Sequence, residues 1–272
     1  MSHREHFGRL VRSPIVPLAE ACFVMAAQLG HPDPVADGLA SIEALTDEAA
    51  AAVARELGPE SAPSLDPIVR HLFGTLGFTG DADVYYDVRN SLLPEVLRRR
   101  IGIPISLGIV LIEVAERLDV AATGVGMPGH FLVGDGAAPT RWVDAFDHGR
   151  WLDARGAEAR FRAVHGADAT FDPAFLAPTP RPQILARVLA NLAGVYRGLG
   201  DPTRLLRALE LRCDIPGVGQ APRAQVELAE AYVTVGRVGT AIDVLEDLTV
   251  RVEPRRREVL VARIDLLRAA LN

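Results

Sequence analysis

The sequence predicts an α+β fold: a helical N-terminal part, a core in which a buried helix lies on a small antiparallel sheet, and C-terminal α-helical repeats. Three observations carry this expectation. Apolar residues recur at helical spacing from Val16 to about Phe78. A helix that is apolar almost all round, Ser106 to Leu118, is followed by short β-branched runs separated by Gly and Pro. Beyond a proline-rich stretch, the chain repeats itself at a constant offset of 36 residues, as from Tyr196 to Tyr232.

The first helix is read from Leu18, Ala21, Cys22, Met25 and Leu29, three and four residues apart, before Gly30-His31-Pro32 breaks the run. An Ala-rich helix is expected over Asp47 to Leu57 and another over Leu65 to Leu76, ended by Gly77. Ser91 to Arg100 reads as a short helix, whose closing Arg98-Arg99-Arg100 suits the negative end of a helix dipole. Strands are expected at Ala121 to Val125, Phe131 to Val133 and Arg141 to Phe146. Ala177-Pro178-Thr179-Pro180-Arg181-Pro182 stiffens the backbone and marks a boundary. The expected division is therefore 1–78, 79–178 and 179–272.

In the last of these segments Leu192, Ala193, Tyr196, Gly200, Leu205 and Leu209 recur as Leu228, Ala229, Tyr232, Gly236, Ala241 and Leu245. These positions resemble the tetratricopeptide repeat, with Gly200-Asp201 at its turn, Pro216-Gly217-Val218-Gly219 as an enlarged loop, and Arg255 to Leu271 as a closing helix. The resemblance implies a protein or peptide partner bound through the repeats.

Composition narrows the function classes. About half of the 272 residues are hydrophobic and about a quarter charged, as in ordinary globular proteins. The formal net charge is −6 and arginines are interspersed with acids, which argues against a nucleic-acid surface. The two cysteines, Cys22 and Cys213, lie far apart in apolar helical patterns; buried thiols are expected, and neither a disulfide framework nor a zinc spacing. No secretory signal and no apolar run of about eighteen residues is found, so no membrane span and a cytoplasmic location are expected. No phosphate loop, His-Glu-x-x-His or Gly-x-Ser-x-Gly motif occurs, and no cofactor or metal is expected.

The chemistry-bearing residues are Ser106, His130 and Asp144. Ser106 follows Gly102-Ile103-Pro104 and opens the buried helix, where free N–H groups and the helix dipole favour an anion. His130 follows Pro128-Gly129 at a strand start, and Asp144 on the next strand is placed to orient its imidazole. A catalytic triad is one reading. A helix-capping Ser106 and a core His130 satisfied by Asp144 is the other. Tyr86, Asn90, Pro104 and Gly129 are the candidate binding residues. Tyr85, Tyr86 and Asn90 are open to the same cleft role or to aromatic packing and turn formation, while Asp147 and His148 read as a turn.

The order of helix-start nucleophile, strand His and next-strand Asp resembles the transglutaminase-like, papain-related superfamily. The motifs Asn90-Ser91-Leu92-Leu93-Pro94-Glu95-Val96-Leu97, Gly102 to Leu107, Pro128 to Leu132 and Asp144-Ala145-Phe146 resemble its bacterial SirB-type family. This resemblance implies a transglutaminase-like core with Ser106 at the position of the usual cysteine nucleophile. It also implies a regulatory role, so the expectation is a non-catalytic protein- or peptide-binding pseudoenzyme. The alternative is a serine-variant acyl hydrolase or transferase acting on an amide or thioester.

Overall fold

A computed structural model describes residues 1–58 and 64–271. Residues 59–63, inside the segment read as helical, lie outside the described residues. In chain order the elements begin with helices α1 (His3–Leu10), α2 (Leu18–Gln28), α3 (Val35–Leu57) and α4 (Leu65–Val69), the last running into a π-helical turn, Arg70–Thr75. Strand β1 (Thr79–Gly80), α5 (Leu93–Arg99), β2 (Ile101–Gly102) and α6 (Pro104–Arg117) follow. Then come β3 (Ala122–Val125), β4 (Leu132–Asp135), β5 (Trp142–Asp144), β6 (Arg150–Leu152) and α7 (Ala154–His165). The last five helices are α8 (Arg181–Gly198), α9 (Pro202–Asp214), α10 (Pro222–Thr234), α11 (Val238–Thr249) and α12 (Pro254–Ala269). Helices together with small sheets make the fold α+β.

The chain groups into two compact units, one of residues 17–188 and one joining 1–16 to 189–272. This grouping cuts the chain at 16 and inside α8, and not at the expected 78 and 178. The proline-rich stretch does not separate the units, because it ends in the first turn of α8. There Pro182 is tolerated, since a first-turn N–H has no intrahelical partner to lose.

In the larger unit α6 is the centre. Residues Pro104 to Ala115 are all buried, as the all-round apolar pattern predicts. It packs against β3 and β4 on one side and against α2, α3 and α4 on others. The sheet is antiparallel in the order β3-β4-β5-β6, with Val133 paired to Val143 and Asp144 to Arg150. A second sheet pairs β1 and β2 in parallel. Glu113 is the buried charged residue of α6. Its Oε1 accepts the Ala19 N–H at 3.0 Å and it pairs with Arg117. The carboxylate thereby supplies the N-terminal cap that Pro17 does not give to α2.

Three expectations shift. The Ala-rich helix starts twelve residues earlier than Asp47, at Val35, because Gly38, Ile42, Leu45, Ala49 and Val53 form one continuous buried stripe. Helices α1 and α7, absent from the sequence reading, are short and mostly polar, and each is defined by its cap. Ser2 and Glu5 form a capping box, and Asp153 accepts the Gly156 N–H. Cys22 is buried as expected, but Cys213 is only partly so. Burial raises both thiols, that of Cys213 to about 11, so neither is a ready nucleophile.

In the smaller unit consecutive helices from α9 to α12 pack on one another, and α1 packs on α9. Arg4 on α1 lies 2.7 Å from Asp214 and 3.1 Å from Glu210, and the Tyr232 hydroxyl donates to Glu210 at 2.6 Å. Gly200 and Gly236, equivalent under the internal offset, both adopt positive φ, at 66° and 78°. Asp201 then caps α9 by accepting the Arg204 N–H.

Two glycines in helix interiors should respond oppositely to alanine. At Gly108 on α6 an added methyl would sit 2.7 Å from the Phe131 ring, whereas at Gly194 on α8 nothing lies within 4 Å. Gly108→Ala is expected to destabilise by about 1–3 kcal/mol through overpacking. Gly194→Ala is expected to stabilise by about 0.4–1 kcal/mol. Denaturant midpoints of the two variants check both signs.

Candidate functional site

His130 is positioned by a tight turn. Its N–H donates to the Met127 carbonyl at 3.0 Å, with Pro128 and Gly129 at the central positions and Gly129 at φ 72°. Pro followed by a positive-φ residue is the type II signature. Gly129 is needed twice, since a Cβ there would also meet Val164 and His165 on α7 within 3 Å. The His165 Nε2 lies 3.0 Å from the Pro128 carbonyl.

The turn delivers the imidazole to Asp144 at the end of β5. His130 Nε2 is 2.9 Å from Asp144 Oδ1, with the histidine 6% exposed and the aspartate fully buried. Asp144 Oδ1 also accepts the N–H groups of Phe146 and Asp147, at 3.1 and 3.3 Å. Its Oδ2 lies 2.8 Å from Arg160 Nε on α7, and the same guanidinium reaches Asp147 at 2.8 Å. Burial pushes the Asp144 carboxyl up. The hydrogen bond and charge of His130, the charge of Arg160 and the turn amides outweigh it and hold the carboxyl below its usual range. Nε2 faces Asp144, so Nδ1 is the ring nitrogen turned away from the carboxylate.

Around this pair are aromatic and cationic groups. Phe146 stands edge-on to His130 at 6.3 Å and to Tyr85 at 6.0 Å. Arg187 on α8 donates to the carbonyls of Met127 and His130, at 3.2 and 2.8 Å, bracketing the turn. Burial lowers its pKa, opposed by the charge of Tyr85.

Ser106 stands elsewhere in its bonding. It occupies the third position of α6, 2% exposed. Its Oγ accepts the Ile103 N–H at 3.0 Å and donates to the Asn90 carbonyl at 2.6 Å, with the Ile103 carbonyl a further 3.1 Å acceptor. No hydrogen bond joins Ser106 to His130 among the described residues. Pro104 is the buried first residue of α6. Asn90 is fully buried and spent on its neighbours. Its Nδ2 donates to Asp81 and to the Val84 carbonyl, and its Oδ1 accepts from Arg99. Tyr86 is 78% exposed and stacks edge-on with Tyr85. Thus hydrogen bonds join His130, beside Gly129, to Asp144 and join Ser106, two residues after Pro104, to the Asn90 carbonyl. His148, at φ 52°, takes the turn position expected of it.

Arg160, Arg187 and Phe146 are the neighbours that the sequence reading missed. Phe146 stands within the Asp144-Ala145-Phe146 motif and was legible there. The two arginines come from helices 16 and 43 positions beyond Asp144, with no local signal linking them to it. Among the described residues no group of three or more His, Cys, Asp or Glu is placed to hold a metal, and no helix is long and apolar enough to cross a membrane.

Relatives bear on the same region. The chain is 39% identical over 184 residues to a UPF0162 protein of Xylella fastidiosa, covering 65% of this chain and 64% of that protein. It is 32% identical over 151 residues to a UPF0162 protein of Pseudomonas aeruginosa, covering 53% of each. It is also 31% identical over 154 residues to F-box only protein 21 of Mus musculus, covering 53% of this chain and 24% of that protein. In each case the chain spans less than two thirds of the relative's length. A family model described as the transglutaminase-like superfamily matches residues 36–190, more than half of the chain and the segment that holds both polar clusters, so the chain belongs to the transglutaminase-like superfamily.

Proposed function

We propose that this chain is a non-catalytic member of its superfamily, a SirB-type regulatory module that binds a protein or peptide partner. The observation that carries this reading is the commitment of the Ser106 hydroxyl, which is buried and hydrogen-bonded to the Ile103 N–H and the Asn90 carbonyl. A serine nucleophile needs a base to take its proton as it attacks. Here the proton is directed at a carbonyl oxygen, which cannot take it. The dyad of His130 and Asp144 acts in this reading as a structural node that ties β5 to the Met127–His130 turn and, through Arg160, to α7. Reading the helices beyond 181 as tetratricopeptide-like supplies the partner-binding surface. The internal offset, the paired positive-φ glycines and the Asp201 cap support it. That a similar stretch makes up 24% of a much longer F-box only protein 21 supports a portable domain over a stand-alone enzyme.

A fluorophosphonate probe is expected to label the wild-type protein no more than Ser106→Ala. Iodoacetamide is expected to alkylate Ser106→Cys only after denaturation. Labelling of Ser106 in the native protein would show that the hydroxyl is free to react and end the non-catalytic reading. Ser106→Ala is also expected to cost about 1–3 kcal/mol, because it removes a buried donor–acceptor from two backbone groups.

The node has its own signature in acid. An Asp144 carboxyl held below the unfolded value of about 3.9 stabilises the fold in full above that value, and the contribution fades as pH falls through the depressed folded value. Asp144→Asn is expected to lose about 1.5–3 kcal/mol at neutral pH. It is also expected to show a shallower fall in stability between about pH 5 and pH 2 than the wild type. Denaturant titrations across that range measure both effects, and equal slopes would remove the ionised carboxylate from the account.

A further inference from the structure

We infer that the smaller unit carries a docking groove for an acidic segment with apolar residues, a proposal that deepens the binding reading above and rests on it. The groove runs between α10 and α12, with parts of α8 and α11, and has a volume near 860 Å³. Its floor is apolar, including Val226, Val233 and Leu260. Its walls carry Arg223, Arg256 and Arg263, none of which has a carboxylate partner among the described residues.

Charge complementarity selects the occupant. Other arginines of this unit do find acids: Arg4 meets Asp214 and Glu210, Arg197 and Arg212 share Glu227, and Arg268 meets Glu246. Glu227 lines the groove but is already held by two guanidiniums, which keep its carboxyl below the usual range against the effect of burial. Glu230 is the other acid of the lining and leaves the surplus positive. The surplus matters because the whole chain is acidic, at −6. The basic walls are thus a local feature and do not follow from a basic composition. Val259, 68% exposed, extends the apolar lining toward an adjoining depression that also holds Arg251, Arg255 and one acid, Glu253. Apolar floor and cationic walls together fit a peptide that has leucine-like anchors at helical spacing and carboxylates between them. A nucleic acid would satisfy the arginines and leave the floor uncovered.

The test uses the full chain and a fluorescein-labelled probe peptide of about 14 residues with Leu at i, i+3, i+4 and i+7 and Glu between them. Controls are the same peptide with Lys for Glu, the same with Ser for Leu, and a single-stranded RNA oligonucleotide. The Glu/Leu probe is expected to bind saturably by fluorescence anisotropy. The combined variant Arg223→Glu, Arg256→Glu, Arg263→Glu, on exposed positions and with an unchanged thermal midpoint, is expected to weaken it by about tenfold or more. Val233→Asp should weaken it as well, while the Lys/Leu and Glu/Ser peptides should fail to compete. The proposal is overturned if the Glu/Leu probe does not bind, if the arginine variant binds it equally, if Lys/Leu competes as well, or if RNA binds in its place. Absent peptide binding with Ser106 still unlabelled would remove the groove and leave the non-catalytic reading. Labelled Ser106 with peptide binding intact would do the reverse.

Discussion

A helix buried from its first residue must satisfy its first-turn N–H groups from within the protein. Helix α6 faces this constraint at its N-terminus, and the local structure around residues 81–106 follows from the solution. Pro104 at the first helical position removes one donor outright. Ser106 folds back to accept the Ile103 N–H and passes its own proton to the Asn90 carbonyl. The 3₁₀ turn carrying Asn90 is fixed in turn by Asp81, Val84 and Arg99. Gly102 leaves room for the hydroxyl, since a Cβ there would lie 2.7 Å from Ser106 Oγ. The whole Gly102 to Ser106 motif thus reads as a device for ending a buried helix.

The second polar cluster solves a different problem with the same economy. Asp144 is fully buried and charged, a costly state unless every oxygen is engaged. Its Oδ1 takes two adjacent turn amides and the imidazole, and its Oδ2 lies against the Arg160 guanidinium without an aligned hydrogen bond, so three stretches of chain meet at one carboxylate. The carboxylate therefore defines where the Met127–His130 turn and α7 sit. A His–Asp pair with one free imidazole nitrogen is also the orienting half of a hydrolytic triad. Under the proposed non-catalytic reading, the bonding of Ser106 favours the structural node.

What the sequence made legible was local. The all-round apolar run of α6, the short β-branched strands and the Pro128-Gly129 turn are each encoded within a few residues, and each stands near its expected place. The pairing of His130 with Asp144 was legible because adjacent strands bring them together. The commitment of Ser106 was not, because its acceptor is a backbone carbonyl 16 residues away that no side-chain pattern reports. Arg160 was hidden for a related reason, since α7 is polar and its helicity rests on the Asp153 cap more than on hydrophobic spacing. The grouping of α1 with residues beyond 189 was not legible, because it rests on contacts such as that of Arg4 with Asp214, more than 200 residues apart in sequence.

These constraints set chemistry and stability in competition at one oxygen atom. For Ser106 to act as a nucleophile its hydroxyl would have to turn away from the Asn90 carbonyl and the Ile103 N–H, in a place with 2% exposure. Each buried backbone group so abandoned costs about 1–3 kcal/mol. The barrier reduction from adding a general base is worth a factor of about 10²–10⁴, or roughly 3–5 kcal/mol. The two quantities are of the same size, so relocating the hydroxyl would cancel much of what the base contributes. A fold that ends its central helix with this serine has little to gain by also using it for attack. On the proposed non-catalytic reading, the His130–Asp144 pair serves the buried carboxylate.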